Sequence, residues 1–147
     1  SSYTYNSGGD RYLYGASFGK DGLRIFDCKK DKFIRTISTA SAQGSAIDGG
    51  RLYYLVTNGE KDYTKIYSAS RSGADRKPVL EGLPYNTWID VISKDYICYR
   101  INDGLDGHIY MTATGEDRKL DQMDYQNYIK ENPHGANIYT GSGVLRG

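Results

Sequence analysis

One unit of about 42 residues recurs along this chain. The stretches "GDRYLYGASFGKDGLRIFDCKKDKFIRTI", "GGRLYYLVTNGEKDYTKIYSASRSGADRKPV" and "KDYICYRINDGLDGHIYMTATGEDRKL" each read as short strands separated by polar or glycine-rich turns. With Tyr12-Leu13-Tyr14, Leu52-Tyr53-Tyr54, Tyr96-Ile97-Cys98 and Asn137-Ile138-Tyr139 in register, the spacings are 40, 44 and 41 residues. A second strand repeats as Arg24-Ile25-Phe26-Asp27, Lys65-Ile66-Tyr67-Ser68 and His108-Ile109-Tyr110-Met111, each preceded by an acidic turn residue, Asp21, Asp62 or Asp106. A polar turn then leads to a third strand, "FIRTI", "KPVL" or "RKL". A fourth, less regular segment, "GSAID" or "TWIDVI", runs into the next copy. The copies cover approximately residues 8–48, 49–92 and 93–133, with a partial one at 134–147.

Four strands in about 42 residues is the dimension of a propeller blade. A sheet this small cannot leave both faces in water, so each copy must bury its apolar positions against its neighbours. Ile25, Ile66 and Ile109 hold one position of the second strand and are therefore expected between sheets. The strands "YLYGAS", "LYYLVT", "YICYRI" and "NIYTGS" are the most apolar of each copy and are expected innermost. A β-sandwich or small barrel also has closely spaced short strands, but does not require matching strand types in matching order. The 15 Tyr and 18 Gly against 3 Pro favour many short strands and tight turns. The expected fold is all-β: about three complete four-stranded β-propeller blades, with partial blades at both ends ("SYTY" and "NIYTGSGVLRG"), forming an incomplete ring.

The succession Gly/Asp, x-Ile/Leu-Tyr-Tyr, turn, Lys-Ile-Tyr-x-Ala, Gly-x-Asp-Arg-Lys resembles the repeats of YWTD-like β-propellers and of related uncharacterised bacterial surface propellers. Its best copy is "GRLYYLVTNGEKDYTKIYSASRSGADRKPVL", and the resemblance runs from Gly8 to about Ser142. After Tyr54 the chain has Leu55-Val56-Thr57 in place of the Trp and Asp of the family's tetrad. The resemblance implies a scaffold at the cell surface or outside the cell and specifies no chemistry.

The 19 Lys and Arg nearly balance 18 Asp and Glu with the signs interleaved, which argues against a nucleic-acid partner. No run approaches the roughly 18 apolar residues of a membrane span. The opening "SSYTYNSGG" has neither the basic start nor the apolar middle of a signal peptide, so any targeting segment is expected to have been removed or to be missing. Cys28 and Cys98 lie in strand-like segments and read as two buried small hydrophobes, with a disulfide between them as the alternative.

Zinc-binding and nucleophile-elbow motifs are missing from the sequence, and no cofactor, metal or catalytic residue is assigned. Of the two histidines, His108 reads as a turn residue before a strand and His134 as a loop residue. "NDGLDGH", Asn102 to His108, holds oxygen ligands of the kind calcium prefers, yet Asp-Gly is also the commonest hairpin chemistry and a turn is the expectation. Asp48, Asp90 and Asp124 precede the strands expected innermost, where an acid is either a turn residue or half of a glycoside-cleaving pair, and their neighbours favour neither role. Tyr85, Trp88, Tyr125 and Tyr128 lie in the longer connections "EGLPYNTWID" and "DQMDYQNYIKENP", where a ring either fills the space between blades or stacks on a ligand. For Trp88 the alternation with Asp90 favours packing. Arg100 is placed toward the central channel, solvated or meeting an anion. These five are the candidate ligand-binding residues.

The functional expectation is a binding scaffold for a protein or glycan, completed by the remainder of a longer chain or by copies of itself. The alternatives are a carbohydrate-active propeller enzyme and a self-assembling structural protein.

Overall fold

A computed structural model describes residues 4–6, 11–16, 23–37, 42–58, 63–84, 87–101, 106–132 and 136–137. Strands β1 (Thr4–Asn6), β2 (Tyr12–Ala16), β3 (Leu23–Asp27) and β4 (Lys32–Ile37) pair consecutively as a first antiparallel sheet. Strands β5 (Ala42–Asp48), β6 (Arg51–Asn58), β7 (Tyr63–Ala69) and β8 (Lys77–Pro84) form a second. The third consists of β9 (Thr87–Ile92), β10 (Tyr96–Ile101), β11 (Gly107–Met111) and β12 (Asp117–Leu120), with β13 (Ala136–Asn137) added outside β9. Helix α1 (Gln122–Glu131) follows β12.

The all-β expectation and the grouping of strands by fours hold, with four adjustments. The segments "GSAID" and "TWIDVI" are the opening strands of the sheets that follow them, β5 pairing with β6 and β9 with β10. The strands expected innermost, β2, β6 and β10, are therefore interior to their sheets, flanked on both sides. Thr4–Asn6, expected in a separate partial unit, pairs with β2 as the first strand of the first sheet. Ala136–Asn137 pairs with β9 in the third sheet, while 138–147, the rest of "NIYTGSGVLRG", lie outside the described residues.

The fourth adjustment is the register of the second sheet. The cross-strand partners are Tyr14 with Ile25, Leu55 with Ile66, and Cys98 with Ile109. Leu55 is thus the equivalent of Tyr14 and Cys98, and the first strands align as Tyr12, Tyr53 and Tyr96, 41 and 43 residues apart. Ile25, Ile66 and Ile109 have the same two spacings. Aligning Tyr54 with Tyr14 fails because side chains alternate across a strand, and a slip of one residue sends each of them to the wrong face.

In this register the sheets stack in one sense. Tyr14, Leu23 and Ile25 on the front of the first sheet bury against Leu52, Tyr54 and Ala69 on the back of the second. Tyr53, Leu55, Ile66 and Leu83 on the front of the second meet Ile89, Ile92, Ile97 and Tyr99 on the back of the third. Val91, Tyr96, Cys98 and Ile109 on the front of the third meet Tyr125 of α1. Ile25, Ile66 and Ile109 are all fully buried, as their shared position requires.

Polar ties cross the same boundaries. The Tyr14 hydroxyl donates to the Arg71 carbonyl at 2.6 Å, and Arg35 Nε donates to the Ser72 carbonyl at 3.1 Å. Gly73 (φ +88°) sits between these contacts, where a Cβ would collide with Ile25 and Arg35, so only glycine fits both the backbone angle and the approach. Between the second and third sheets the Lys94 amide donates to Asp48 Oδ2 at 2.6 Å. The last strands of the three sheets carry Lys32 and Arg35, Pro78 and Pro84, and Arg118 and Lys119, residue types that discourage pairing with another chain.

The segment "DQMDYQNYIKENP", expected as a connection, contains the helix. Asp121 caps it by accepting the Asp124 amide at 2.8 Å, Asp124 and Lys130 sit at the ends that suit their charges, and Pro133 follows the C-cap Asn132. Tyr125, Tyr128 and Ile129 share one face and pack on the third sheet. Cys98 is buried as expected, but Cys28 lies exposed in the turn after β3, and both thiols are free.

Candidate functional site

The third sheet carries two of the five sequence candidates, and helix α1 brings Tyr125 against them. Trp88 on β9 stands directly opposite Arg100 on β10, and Gly107 on β11 is the next residue across, so all three share one face. Asp90 is left without a cross-strand partner by a register shift of β9 against β10, and its carboxylate turns to Arg100. Its Oδ2 accepts Arg100 Nε at 2.7 Å and its Oδ1 accepts Arg100 Nη2 at 2.9 Å, a bidentate fork. Arg100, expected at a central channel and there either solvated or meeting an anion, is held in this ion pair, with both side chains only partly exposed.

The fork is braced from the helix side. Tyr125 is fully buried, and its hydroxyl donates to Asp90 Oδ2 at 2.8 Å. Its ring lies where a Cβ on Gly107 would fall, so glycine at 107 is what admits it. Burial pushes the Tyr125 hydroxyl well above the usual phenol range, and the Asp90 charge adds to this, so it remains a donor. Beneath the same face burial pushes the Cys98 thiol up to about 12, again with a contribution from Asp90, so it remains a neutral packing group.

Tyr128 packs edge-on against Tyr96 with ring centroids 5.7 Å apart, and Tyr96 donates to the Asn132 carbonyl at 2.6 Å. Both rings serve the helix–sheet contact. Trp88 was expected to fill space between sheets, but it is 46% exposed. The reason is its face: alternation along β9 buries Ile89 against the second sheet and turns Trp88 to the opposite side. Tyr85 lies outside the described residues.

Two further polar constellations carry no sequence motif. His108 lies within β11, not in a turn; its ring stacks on Tyr99 at 4.8 Å, and its Nδ1 is 3.1 Å from Asp117 Oδ1. The Tyr99 hydroxyl donates to the other Asp117 oxygen, and burial, followed by that bond, raises its pKa. In the first sheet Asp27 takes a fork from Arg11 at 3.0 and 2.8 Å and also accepts the amides of Lys29 and Lys30. These donors, Arg11 foremost, hold the Asp27 carboxyl down at about 2.

The carboxylates considered for catalysis have structural duties. Asp48 accepts the Lys94 amide, Asp90 holds Arg100, and Asp124 occupies the first turn of α1, where it does not precede a strand. Among the described residues no cluster of His, Cys, Asp or Glu is arranged to hold a metal ion. His134 and residues 102–105 of the Asn102–His108 loop lie outside the described residues. No protein-family model matches the chain, and no curated protein is significantly similar to it.

Proposed function

We propose that the chain is an arc of β-propeller blades serving as a non-catalytic recognition scaffold. The observation that carries this reading is the same-sense stack: three sheets of consecutive strands, each presenting one face to its successor. Neighbours related by a rotation must stack this way, because every blade has the same front and the same back. A sandwich places two sheets face to face and has no need of the rule.

Helix α1 covers the front of the third sheet, where a further blade would otherwise sit. At the opposite end Leu13, Phe26 and Phe33 line the back of the first sheet, the face that Tyr54 and Tyr67 bury in the second. That back accepts a further sheet, from a longer polypeptide or another copy of the chain. Recognition is assigned to the exposed face around Trp88, on rigid strands beside a fixed ion pair. Placement at the cell surface rests on the family resemblance alone.

Incubating the purified chain with immobilised glycans and peptides, and assaying every bound glycan for cleavage, tests the reading. Saturable binding without turnover is expected. Cleavage of a bound glycan would overturn the scaffold in favour of a carbohydrate-active enzyme.

A further inference from the structure

Resting on that recognition reading, we propose that Trp88, Arg100 and Asp90 form a subsite for a neutral pyranose ring. Three observations converge on it. The chain has a single tryptophan, and it is substantially exposed on a strand, where its neighbours in the pleat fix its direction. An indole face is the surface on which the C–H face of a sugar stacks, and an amphipathic ring at the edge of an ordered face suits a ligand that is apolar on one side and polar at its rim.

Second, the residue opposite Trp88 is Arg100, locked to Asp90 by two hydrogen bonds. Sugar hydroxyls both donate and accept, and adjacent hydroxyls are spaced for a forked group. A carboxylate beside a guanidinium answers both demands within one rigid unit. Since the two charges cancel locally, the pair gives no preference for an anionic sugar.

Third, the pair is preorganised. Tyr125 is buried, donates to Asp90 and rests against Gly107, so the polar groups need little ordering when a ligand arrives. The other two exposed large hydrophobics among the described residues lack this setting. Phe33 lies under the Arg24 guanidinium at 3.7 Å and meets Phe26 edge-on, and Met123 sits on the helix surface.

Because Trp88 is the only tryptophan, its fluorescence reports the site directly. Titration is carried out with neutral gluco-, manno- and N-acetylglucosamine oligosaccharides, with oligouronates, and with proline-rich peptides. A saturable change in Trp88 emission with a neutral oligosaccharide is expected, weaker with uronates. By calorimetry Trp88→Ala should lose about tenfold or more in affinity, and Trp88→Phe should retain part of it. Arg100→Lys, which keeps the charge but not the fork, should also weaken binding, with the melting temperature of Trp88→Ala close to that of the parent. A response to peptides alone, or a stronger response to uronates than to neutral sugars, overturns the neutral-sugar subsite and leaves the scaffold standing. Undiminished glycan binding by Trp88→Ala also overturns the subsite. No response to any ligand class, in fluorescence or calorimetry, overturns both.

Discussion

Tyr53 and Tyr54 stand side by side in β6 and face opposite ways, one toward the third sheet and the other toward the first. At this scale the fold is decided by which of two similar neighbours points forward. The pairing of Leu55 with Ile66 settles it, and Ile25, Ile66 and Ile109 then mark the front of each sheet. Truncating any of the three to Ala should cost roughly 2–5 kcal/mol, read as a shift in the urea midpoint. Burial of these three was legible from the repeat because they fall at one position of one strand type. The facing of Tyr54 was not, because adjacent aromatics are compatible with either register until the partner strand is known. The Asp27 carboxyl is held at about 2, below its ordinary range, so the stability it adds is complete above about pH 4 and is lost as pH falls toward 2. Urea midpoints for Asp27→Asn should fall well below the parent at pH 6 and converge with it near pH 2. A constant gap across that window would show that the Arg11 fork contributes no ionic stability.

At the scale of elements, α1 is the part that a strand-repeat reading passes over. Its signals were local: an Asp121 cap, apolar positions at 125, 128 and 129, and Pro133 after the last turn. A repeat alignment hides such signals, since it treats anything between matching strands as connection. The site was legible in the same uneven way. Aromatic and charged residues in the right segments drew attention to Trp88, Arg100 and Tyr125, yet the Asp90 fork depends on a cross-strand neighbour that spacing alone does not supply. Helix docking turns on the Tyr125 ring resting against Gly107. Gly107→Ala should therefore displace the ring and detach the helix, seen as faster amide exchange over 122–131 with β3 and β7 unchanged. By comparison Asp121→Ala removes only the cap, costing about 0.5–2 kcal/mol, and should leave Tyr125 buried. Equal exchange in Gly107→Ala and the parent would mean that the helix is held by other contacts.

The whole molecule is directional: each sheet shows its front to the next, and α1 covers the last front. A unit that cannot bury both faces alone explains why the chain repeats, and the shared sense of stacking explains why the repeats match strand for strand. The most direct test is a nuclear Overhauser experiment on methyl-labelled protein, read at Ile66. Cross-peaks are expected from the Ile66 methyls to Ile97 and Tyr99 of the third sheet, and from Ile25 to Tyr54 of the second. Cross-peaks from Ile66 to Tyr14 or Leu23 of the first sheet would place its front on the wrong side and contradict the stack.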